Sequence, residues 1–245
     1  MKKILINYAH NAFYNSQERN SITGLEIGGF THTKKYRFDN LDDNFKKENE
    51  FILSQPRGAG YWLWKPYIIL KTLNEMQQDD ILFYCDSAID FIDNMDEYFN
   101  LCMNDKNGVL LFYNNHHLNY IWTKRDCFKL MNLDYLSPPG DPTPCPPYSR
   151  QLNASIQMCK KTEFSLHFFN EYLNFAKDAR ILTDMPNTLG LPNYDGFREH
   201  RHDQSIASLL RFKYDVLARE DICQWGKSFR KENEKQILFH HRSKD

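Results

Sequence analysis

A short apolar segment that ends in acidic residues places the strongest constraint on how this chain can fold. Residues 81–90 read Ile-Leu-Phe-Tyr-Cys-Asp-Ser-Ala-Ile-Asp and follow the polar pair Asp79 and Asp80. An apolar run of this length, bounded by charge, predicts a buried strand of an α/β sheet. Carboxylates just beyond the C-terminal end of such a strand lie where open α/β sheets bind ligands. We therefore predict that Asp86, with Asp90 near it, helps to hold a divalent cation and a diphosphate; the alternative is an ordinary Asp-Ser turn after a strand.

Length and composition narrow the class of protein. The 245 residues suffice for one large α/β domain or two small ones. The chain has 31 Lys and Arg residues against 32 Asp and Glu residues, so no overall positive field favours a nucleic-acid partner. No run approaches the roughly 18 apolar residues of a transmembrane helix, and the apolar run after Lys3 is too short for a signal peptide. The six scattered cysteines include no C-x-x-C pair, which predicts free thiols in a reducing, cytoplasmic compartment.

A second unusual segment, residues 57–67, combines two glycines, four large aromatic residues, two cations and a proline. The glycines permit a close backbone approach to a ligand, and Pro66 suits the first turn of a helix that runs to about Met76. A helix N-terminus beside Arg57 and Lys65 favours phosphate binding; the alternative is an aromatic plug in the core with solvated cations. The third glycine of a dinucleotide fingerprint is absent, so NAD binding is not supported.

A third polar cluster occupies residues 184–205, directly before an apolar helical pattern at 206–212. Asp203 falls at or just before the start of that helix, where it suits a simple N-cap. Capping alone does not account for the two histidines, two arginines and one glutamine around it. An Asp flanked by Arg and His stays ionised, and an ionised carboxylate at a site acts as a general base or stabilises a cationic transition state. A capped helix with a solvated basic rim is the alternative.

The rest of the chain alternates between strand and helix patterns. Further strands are predicted near 4–8, 34–38, 109–113, 152–158 and 214–217. Helices are predicted near 15–27, 41–53, 66–76, 93–103, 123–131, 162–177 and 206–212. Thr123 is the expected N-cap of its helix, and the run 114–117, Asn-Asn-His-His, is expected to form a loop.

A proline-rich run and an apolar tail complete the pattern. Residues 137–147 hold six of the ten prolines, which excludes a helix or central strand and leaves a linker or a stiff loop over the site. We predict the loop, because the residues that follow continue the same α/β pattern. We therefore predict one domain over residues 1–245. The apolar trio 237–239 predicts a tail that is tied to the domain. His240 or His241 is then placed to offer a neutral nitrogen to a metal ion beside Asp86, although histidines near a terminus are more often surface residues.

Residues 57–67, 80–88 and 200–205 occur in an order that resembles a known family. They resemble segments of the small GT-A-type glycosyltransferases of capsular-polysaccharide and large-DNA-virus glycan pathways, among them the capsid-glycosylating enzymes of chlorella viruses. The closing run 239–242, Phe-His-His-Arg, fits as well, and the resemblance extends over most of the chain. It implies a single GT-A domain of the α/β class, with a mixed, mostly parallel sheet flanked by helices. It also implies Mn²⁺ or Mg²⁺ bridging the diphosphate of a nucleotide-sugar donor.

The resemblance assigns roles to individual residues. Asp86 matches the first acid of a D-x-D-like motif, but Ala88 stands in the third position. This departure leaves the metal contact to Asp90, to the backbone, or to His240 or His241. The implied donor-side residues are Tyr8, Arg57, Tyr61, Trp62, Lys65, Asp86, Ser87 and Ala88. The implied acceptor side consists of Asp184, Asn193, Asp195, His200, His202 and Gln204 around Asp203.

The implied chemistry is transfer of a hexosyl or deoxyhexosyl group to a glycan or glycoprotein, in a bacterial or virus-infected cytoplasm. Negative charge grows on the diphosphate as the anomeric bond breaks, and a divalent cation with Arg or Lys stabilises it. The acceptor hydroxyl loses a proton, so an inverting enzyme needs a carboxylate base. Asp203 is our candidate base, with Asp184 or Asp195 behind it. A retaining enzyme would use the same Asp electrostatically.

Two other classes compete with this hypothesis. A nucleotidyltransferase or phosphohydrolase could use Asp86 as a metal ligand, but it would need further clustered carboxylates, and only Asp90 and Asp93 are nearby. A non-catalytic carbohydrate-binding protein would keep the aromatic residues and lack turnover. The alanine at position 88 is the feature that supports this last alternative.

Overall fold

A computed structural model of the chain describes residues 1–225 and 235–241. The strands are β1 (Lys3–Tyr8), β2 (His32–Tyr36), β3 (Ile81–Cys85), β4 (Ile89–Phe91), β5 (Val109–Leu118), β6 (Arg150–Lys160), β7 (Leu217–Glu220), β8 (Cys223–Trp225) and β9 (Leu238–His240). The helical segments are α1 (Tyr14–Glu26), α2 (Asp43–Glu48), α3 (Glu50–Leu53), α4 (Gly58–Tyr61), α5 (Trp64–Glu75), α6 (Asp96–Asn104), α7 (Asn119–Trp122), α8 (Arg125–Leu130), α9 (Glu163–Ala176), α10 (Ala179–Leu182), α11 (His202–Tyr214) and a 3₁₀ turn at Phe38–Asn40.

Six strands form a central mixed sheet in the order β2-β1-β3-β6-β5-β7. All of them run in one direction except β6, which is antiparallel to both of its neighbours. Every residue of β3 is buried, because apolar clusters pack on both faces of the sheet. The prediction of an α/β fold with a mostly parallel sheet flanked by helices is therefore confirmed.

The sheet register sets where a ligand can bind. Strands β1 and β3 are parallel neighbours, so Tyr8 and Asp86 emerge at the same sheet edge. The hydroxyl of Ser87 donates to the Tyr8 carbonyl at 2.6 Å and ties these two strand ends together. Strand β6 enters from the opposite direction, and the Asp86 amide donates to the Ser155 carbonyl at 2.8 Å. Three strands thus contribute side chains to one edge.

A second, three-stranded sheet has the order β4-β9-β8, and its strand β4 begins three residues after Asp86. Strand β9 pairs with β4, and the His241 amide donates to the Ala88 carbonyl at 3.1 Å. The side chain of Leu238 is fully buried. The predicted attachment of the tail is confirmed for residues 235–241, whereas Arg242 lies outside the described residues.

Some local predictions were wrong. The run 114–117 belongs to β5 and is not a loop: it forms an irregular stretch between the β6 pairings of Tyr113 with Leu152 and of Leu118 with Arg150. Helix α11 continues to Tyr214, so the following strand begins at Leu217. The segment 41–53 forms two short helices, and Thr123 caps no helix because α8 begins at Arg125.

The proline-rich segment 137–147 was expected over the site. Instead, the Pro146 and Pro147 carbonyls accept hydrogen bonds from Asn119 and Tyr120 of α7. The segment borders neither of the cavities in the cleft described below. Across the described ranges, each helix is too short or too polar to cross a bilayer.

Candidate active site

Two adjoining cavities open at the edge where β1, β3 and β6 meet. The larger, of about 640 Å³, has mainly aromatic and small walls: Tyr8, His10, Phe13, Pro56, Gly58, Ala59, Trp62, Trp64, Asp86, Ser87, Ala88 and His240. The smaller, of about 240 Å³, has mainly polar walls: Arg57, Trp62, Lys65, Asp86, Asn153, Ala154, Ser155, Glu199, Arg201, His202, Asp203, Gln204 and His240. Trp62, Asp86 and His240 border both cavities. The cleft therefore has an aromatic half and a charged half.

Tyr8 forms part of the aromatic half. Its ring stacks on Trp64 with centroids 3.8 Å apart and planes at 12°. Its hydroxyl is buried and has no hydrogen-bond partner among the described residues. Burial raises the pKa of Tyr8, so the hydroxyl stays protonated. A buried hydroxyl without a partner is costly, and a ligand that accepts its proton would remove that cost.

The glycine-rich segment forms a left-handed turn. Residues 58–62, which comprise α4 and Trp62, all have φ between 49° and 95°. The turn is closed by hydrogen bonds from the Tyr61 and Trp62 amides to the Arg57 and Gly58 carbonyls, at 2.7 and 3.2 Å. Left-handed backbone costs each non-glycine residue roughly 1–2 kcal/mol, and three of these five residues are not glycine. The surrounding structure must hold this strain in place.

Lys65 joins the two predicted carboxylates. Its side chain is 3% exposed, and its ammonium lies 2.8 Å from an Asp203 oxygen and 3.7 Å from an Asp86 oxygen. The same ammonium donates to the Ala154 carbonyl at 3.1 Å. Asp86 and Asp203 are therefore brought together on one cleft, as the sequence predicted. Their shared cation was not anticipated.

Burial and charge oppose each other in this cluster. Burial raises the pKa of the Asp203 carboxyl, and the Lys65 ammonium counters part of that rise. Burial alone would lower the pKa of Lys65, but the Asp203 and Asp86 carboxylates raise it above its ordinary value. The Tyr172 hydroxyl donates to Asp203 at 3.3 Å, and the Tyr84 hydroxyl donates to Asp86. The raised pKa of Lys65 keeps this side chain a cation, and that cation faces the Asp203 carboxyl, whose own pKa is raised by burial.

Asp184 faces the left-handed turn from the opposite side of the cleft. It pairs with Arg57 at 3.1 Å, and both side chains are more than 40% exposed. Its second oxygen is 3.8 Å from His202 Nε2. The His202 ring stacks near Trp62, and its Nδ1–H donates to the Leu182 carbonyl at 2.9 Å. Burial lowers the pKa of His202 to about 4, so this imidazole is neutral at pH 7.

Three other expected acceptor-side residues lie away from the cavities. Asn193 accepts from the Arg125 amide at 2.8 Å and so holds the loop before α11. His200 is buried; its Nε2–H donates to the Ile181 carbonyl at 2.7 Å, and burial lowers its pKa well below the usual range. Asp195 is exposed and borders neither cavity. Gln204, by contrast, borders the charged cavity.

No family model matches the chain, and no curated protein sequence matches it at a significant level. Solved structures do match it. Mouse xyloside xylosyltransferase 1 in its apo form superposes with a TM-score of 0.53 at 12% identity, over 98% of this chain and 97% of that chain. The bifunctional glycosyltransferase WbbM superposes with a TM-score of 0.52 at 9% identity, over 99% of this chain and 46% of that chain. A glycosyltransferase involved in the glycosylation of the major capsid of PBCV-1 gives 0.48 at 10% identity, over 98% and 94%.

The two structures with TM-scores above 0.5 decide the architecture. The chain has the GT-A fold. At this level of identity the likeness concerns the fold alone, so the role of each side chain must be argued from its own surroundings. The cleft at Asp86 lies at the C-terminal ends of the parallel strands β1 and β3, and this is the edge where open α/β sheets bind ligands.

The GT-A fold raises the question of whether this cleft suits a metal ion. Among residues 1–225 and 235–241, no group of three His, Cys, Asp or Glu side chains is placed to hold one. Asp90 pairs with Arg19 and lies 3.6 Å from His241. Neither Asp90 nor His241 borders either of the two cavities. Asp86 and His240 do border both. One carboxylate and one imidazole suit an ion such as Mn²⁺ that takes its other ligands from substrate oxygens and water.

The sequence did not identify several residues that line or contact the charged cavity. Asn153 and Ser155 border it from β6, and polar residues inside an otherwise apolar strand were the available signal. Glu199 and Arg201 also border it and pair with each other at 2.7 Å. Tyr172 gave no signal, because a tyrosine on the apolar face of α9 looks like an ordinary core residue.

Proposed function

We propose that this chain is a metal-dependent glycosyltransferase that moves a hexosyl or deoxyhexosyl group from a nucleotide-diphosphate donor to a hydroxyl of a glycan or glycoprotein. One observation carries the proposal: Asp86 and Asp203, distant in sequence, border one cavity and share the Lys65 ammonium. The adjoining aromatic cavity supplies a place for a nucleotide. Group transfer requires that the site for the donor adjoins the site of the reaction, as the aromatic and charged cavities do here.

The aromatic cavity suits the donor nucleotide. Tyr8 and Trp64 supply flat apolar walls for a base, and the Tyr8 hydroxyl supplies a donor that lacks a partner in the protein. Arg57 stands at the mouth of the charged cavity, where its exposed guanidinium can exchange Asp184 for a phosphate oxygen. Trp62, Ser87 and Ala88 border the same aromatic cavity, which supports donor-side roles for them together with Tyr8 and Arg57. Tyr61 borders neither cavity, so its expected donor-side role has no support here.

Asp86 and His240 would hold the divalent cation. When bound, such an ion neutralises charge on the diphosphate leaving group. Asp86 has the exposure that this role requires, with 31% of its side chain accessible. The Lys65 ammonium lies between the Asp86 and Asp203 carboxylates, at 3.7 and 2.8 Å, and offsets their mutual repulsion beside the donor.

Asp203 would accept the proton of the acceptor hydroxyl. Its carboxylate borders the charged cavity, and burial raises its pKa and therefore its basicity. Lys65 and Tyr172 fix the orientation of one of its oxygens, at 2.8 and 3.3 Å. His202 and Gln204 flank it in the same cavity and would position the acceptor. Asp184, on the rim, is the second candidate base.

The deciding experiment compares Asp203→Asn with the wild type on a panel of sugar nucleotides, measuring transfer, hydrolysis and nucleotide binding. We expect the variant to lose about 10²–10⁴-fold in turnover while its nucleotide affinity stays nearly unchanged. Asp43→Asn, at a carboxylate that is 97% exposed, is the matched control and should behave as the wild type. Equal loss of turnover and nucleotide binding would assign Asp203 a structural role and remove the base from this mechanism.

A non-catalytic carbohydrate-binding protein is the second candidate, because Ala88 borders the cavity where a second acid of the motif would stand. Thermal shift with UDP, GDP and CMP, with and without Mn²⁺, separates the two. A transferase gains stability from one nucleotide in a metal-dependent way, whereas a sugar-binding protein responds to glycans and ignores nucleotides. A nucleotidyltransferase or phosphohydrolase would cleave nucleoside triphosphates or phosphate esters in the same panel.

We further propose that residues 1–245 form one domain and act in the cytoplasm. All six cysteines are buried and none is in a disulfide, which supports a reducing compartment. The main apolar cluster includes residues of β1 and α11, at opposite ends of the chain, which supports a single unit.

A further inference from the structure

Trp62 stands at the junction of the two cavities. Among the described residues, Asp86 and His240 also border both cavities. A nucleotide sugar whose base lies in the aromatic cavity must pass its sugar across this junction to bring the anomeric carbon toward Asp203. Trp62 has the largest side chain of the three, and its half-buried indole presents an apolar wall to the sugar.

The indole is held in one place from two sides. Its ring lies against the Gly58 backbone so closely that a Cβ at position 58 would fall 2.4–2.7 Å from three ring carbons. Its other neighbour is His202, with ring centroids 5.3 Å apart and planes at 24°. The His202 ring is itself fixed by its hydrogen bond to Leu182. A ring fixed in this way can distinguish between ligand shapes, because it cannot move aside.

The left-handed backbone is the reason that the ring reaches this position. Trp62 has φ 60° and ψ 17°, a conformation that a tryptophan adopts only when its surroundings require it. Tyr61, with φ 50°, turns its ring toward His202 and Asp184 on the opposite side of the cleft. Strained backbone of this kind concentrates at ligand sites.

From this geometry we propose that Trp62 is the residue that selects the transferred sugar. Its fixed indole forms a wall at the junction, so it favours a sugar whose hydroxyls do not collide with the ring. A wall of this kind recognises the sugar and not the nucleotide. This inference rests on the proposed function, since it needs a nucleotide sugar in the cleft.

The test measures sugar recognition separately from nucleotide recognition. Isothermal titration with Mn²⁺ compares UDP with UDP-glucose and UDP-galactose, and GDP with GDP-mannose and GDP-fucose, for the wild type and three variants. Trp62→Leu removes the flat ring, Trp62→Phe keeps a smaller one, and Gly58→Ala displaces the native ring without deleting it. Melting temperatures of all variants show whether each is folded.

In Trp62→Leu and Gly58→Ala we expect the ratio of nucleotide-sugar affinity to nucleotide affinity to fall about tenfold. In Trp62→Phe this ratio should fall less. Affinity for UDP or GDP alone is the reference within each variant, because Trp62 and Gly58 also border the aromatic cavity, and the preference between sugars of one nucleotide should disappear. Equal weakening of nucleotide and nucleotide sugar, or no change in either, would overturn the role of Trp62 and leave the transferase proposal standing. Failure of the wild type to bind any of these nucleotides would overturn the proposed function instead.

Discussion

Lys65 is a buried cation held between two carboxylates. Its side chain is 3% exposed, and Asp203 lies at 2.8 Å. Removal of one member of a buried ion pair leaves the other charge without compensation, which costs far more than the net contribution of the intact pair. Here two carboxylates, Asp203 and Asp86, would lose their shared partner. Lys65 therefore stabilises the fold and the charge state of the site together.

We expect Lys65→Met to lower the free energy of unfolding by about 3–5 kcal/mol, measured by urea denaturation at pH 7. Lys71→Met is the control, because Lys71 makes a similar 2.6 Å contact with the exposed Asp42 and should cost at most about 1 kcal/mol. The double variant Lys65→Met/Asp203→Asn should recover part of the loss. Equal effects at positions 65 and 71 would contradict the assigned burial.

His202 makes stability depend on pH. Burial lowers its folded-state pKa to about 4, whereas an unfolded histidine titrates near 6.5. The unfolded chain therefore binds more protons between these values, and stability is lost as the pH falls through that window. We expect the contribution of His202 to be fully present above about pH 6.5 and to fall by up to about 3 kcal/mol by about pH 4. Urea denaturation at several pH values should give a flatter profile for His202→Gln; parallel profiles would contradict this.

The sequence indicated Asp86 and Asp203 as site residues, but it did not indicate that both contact Lys65. Asp86 and Asp203 stood out because each marks the end or start of an element, a position that local pattern reveals. The contact of both with Lys65 depends on three separate segments meeting, and no local pattern encodes that. The same limit explains why His200 was expected near the acceptor, although it is committed to backbone hydrogen bonds.

At the level of elements, the left-handed turn is the structure that sequence reasoning could not supply. Gly58 and Gly60 indicated a close approach, but Ala59, Tyr61 and Trp62 share the left-handed conformation. Propensity argues against such residues there, so tertiary contacts must decide. The strands of the small second sheet were equally hidden, because runs of three or four residues carry almost no periodic signal. The longer strands and helices were predicted, since their apolar patterns extend over several turns or alternations.

Gly60 lies against the backbone of Leu53 in that turn. It has φ 95°, and a Cβ there would lie 2.8 Å from the Leu53 Cα, which is backbone and cannot move aside easily. Gly140 is a matched control, since it has φ 84° and nothing within 4 Å of the added carbon. We expect Gly140→Ala to cost about 1 kcal/mol and Gly60→Ala about 2–5 kcal/mol, by urea denaturation. Equal costs would mean that α3 and the turn do not pack as described.

At the scale of the whole molecule, the last described strand completes the site that the first strands begin. Strand β9 pairs with β4 directly after the Asp86 motif and carries His240 to the junction of the two cavities. His241, the next residue, points to Asp90 instead, at 3.6 Å. Adjacent strand residues face opposite ways, so one histidine reaches the cleft and the other supports the small sheet.

This alternation gives a pair of neighbouring variants with opposite expectations. We expect His240→Ala to reduce, by about tenfold or more, the factor by which Mn²⁺ improves UDP or GDP binding over the same titration in EDTA. His241→Ala should leave that factor unchanged, because its side chain lies at Asp90 and borders neither cavity. Affinity without metal should be similar in both variants and in the wild type. An unchanged metal effect in His240→Ala would place the cation away from the Asp86 and His240 pair, and loss in His241→Ala alone would move it to Asp90.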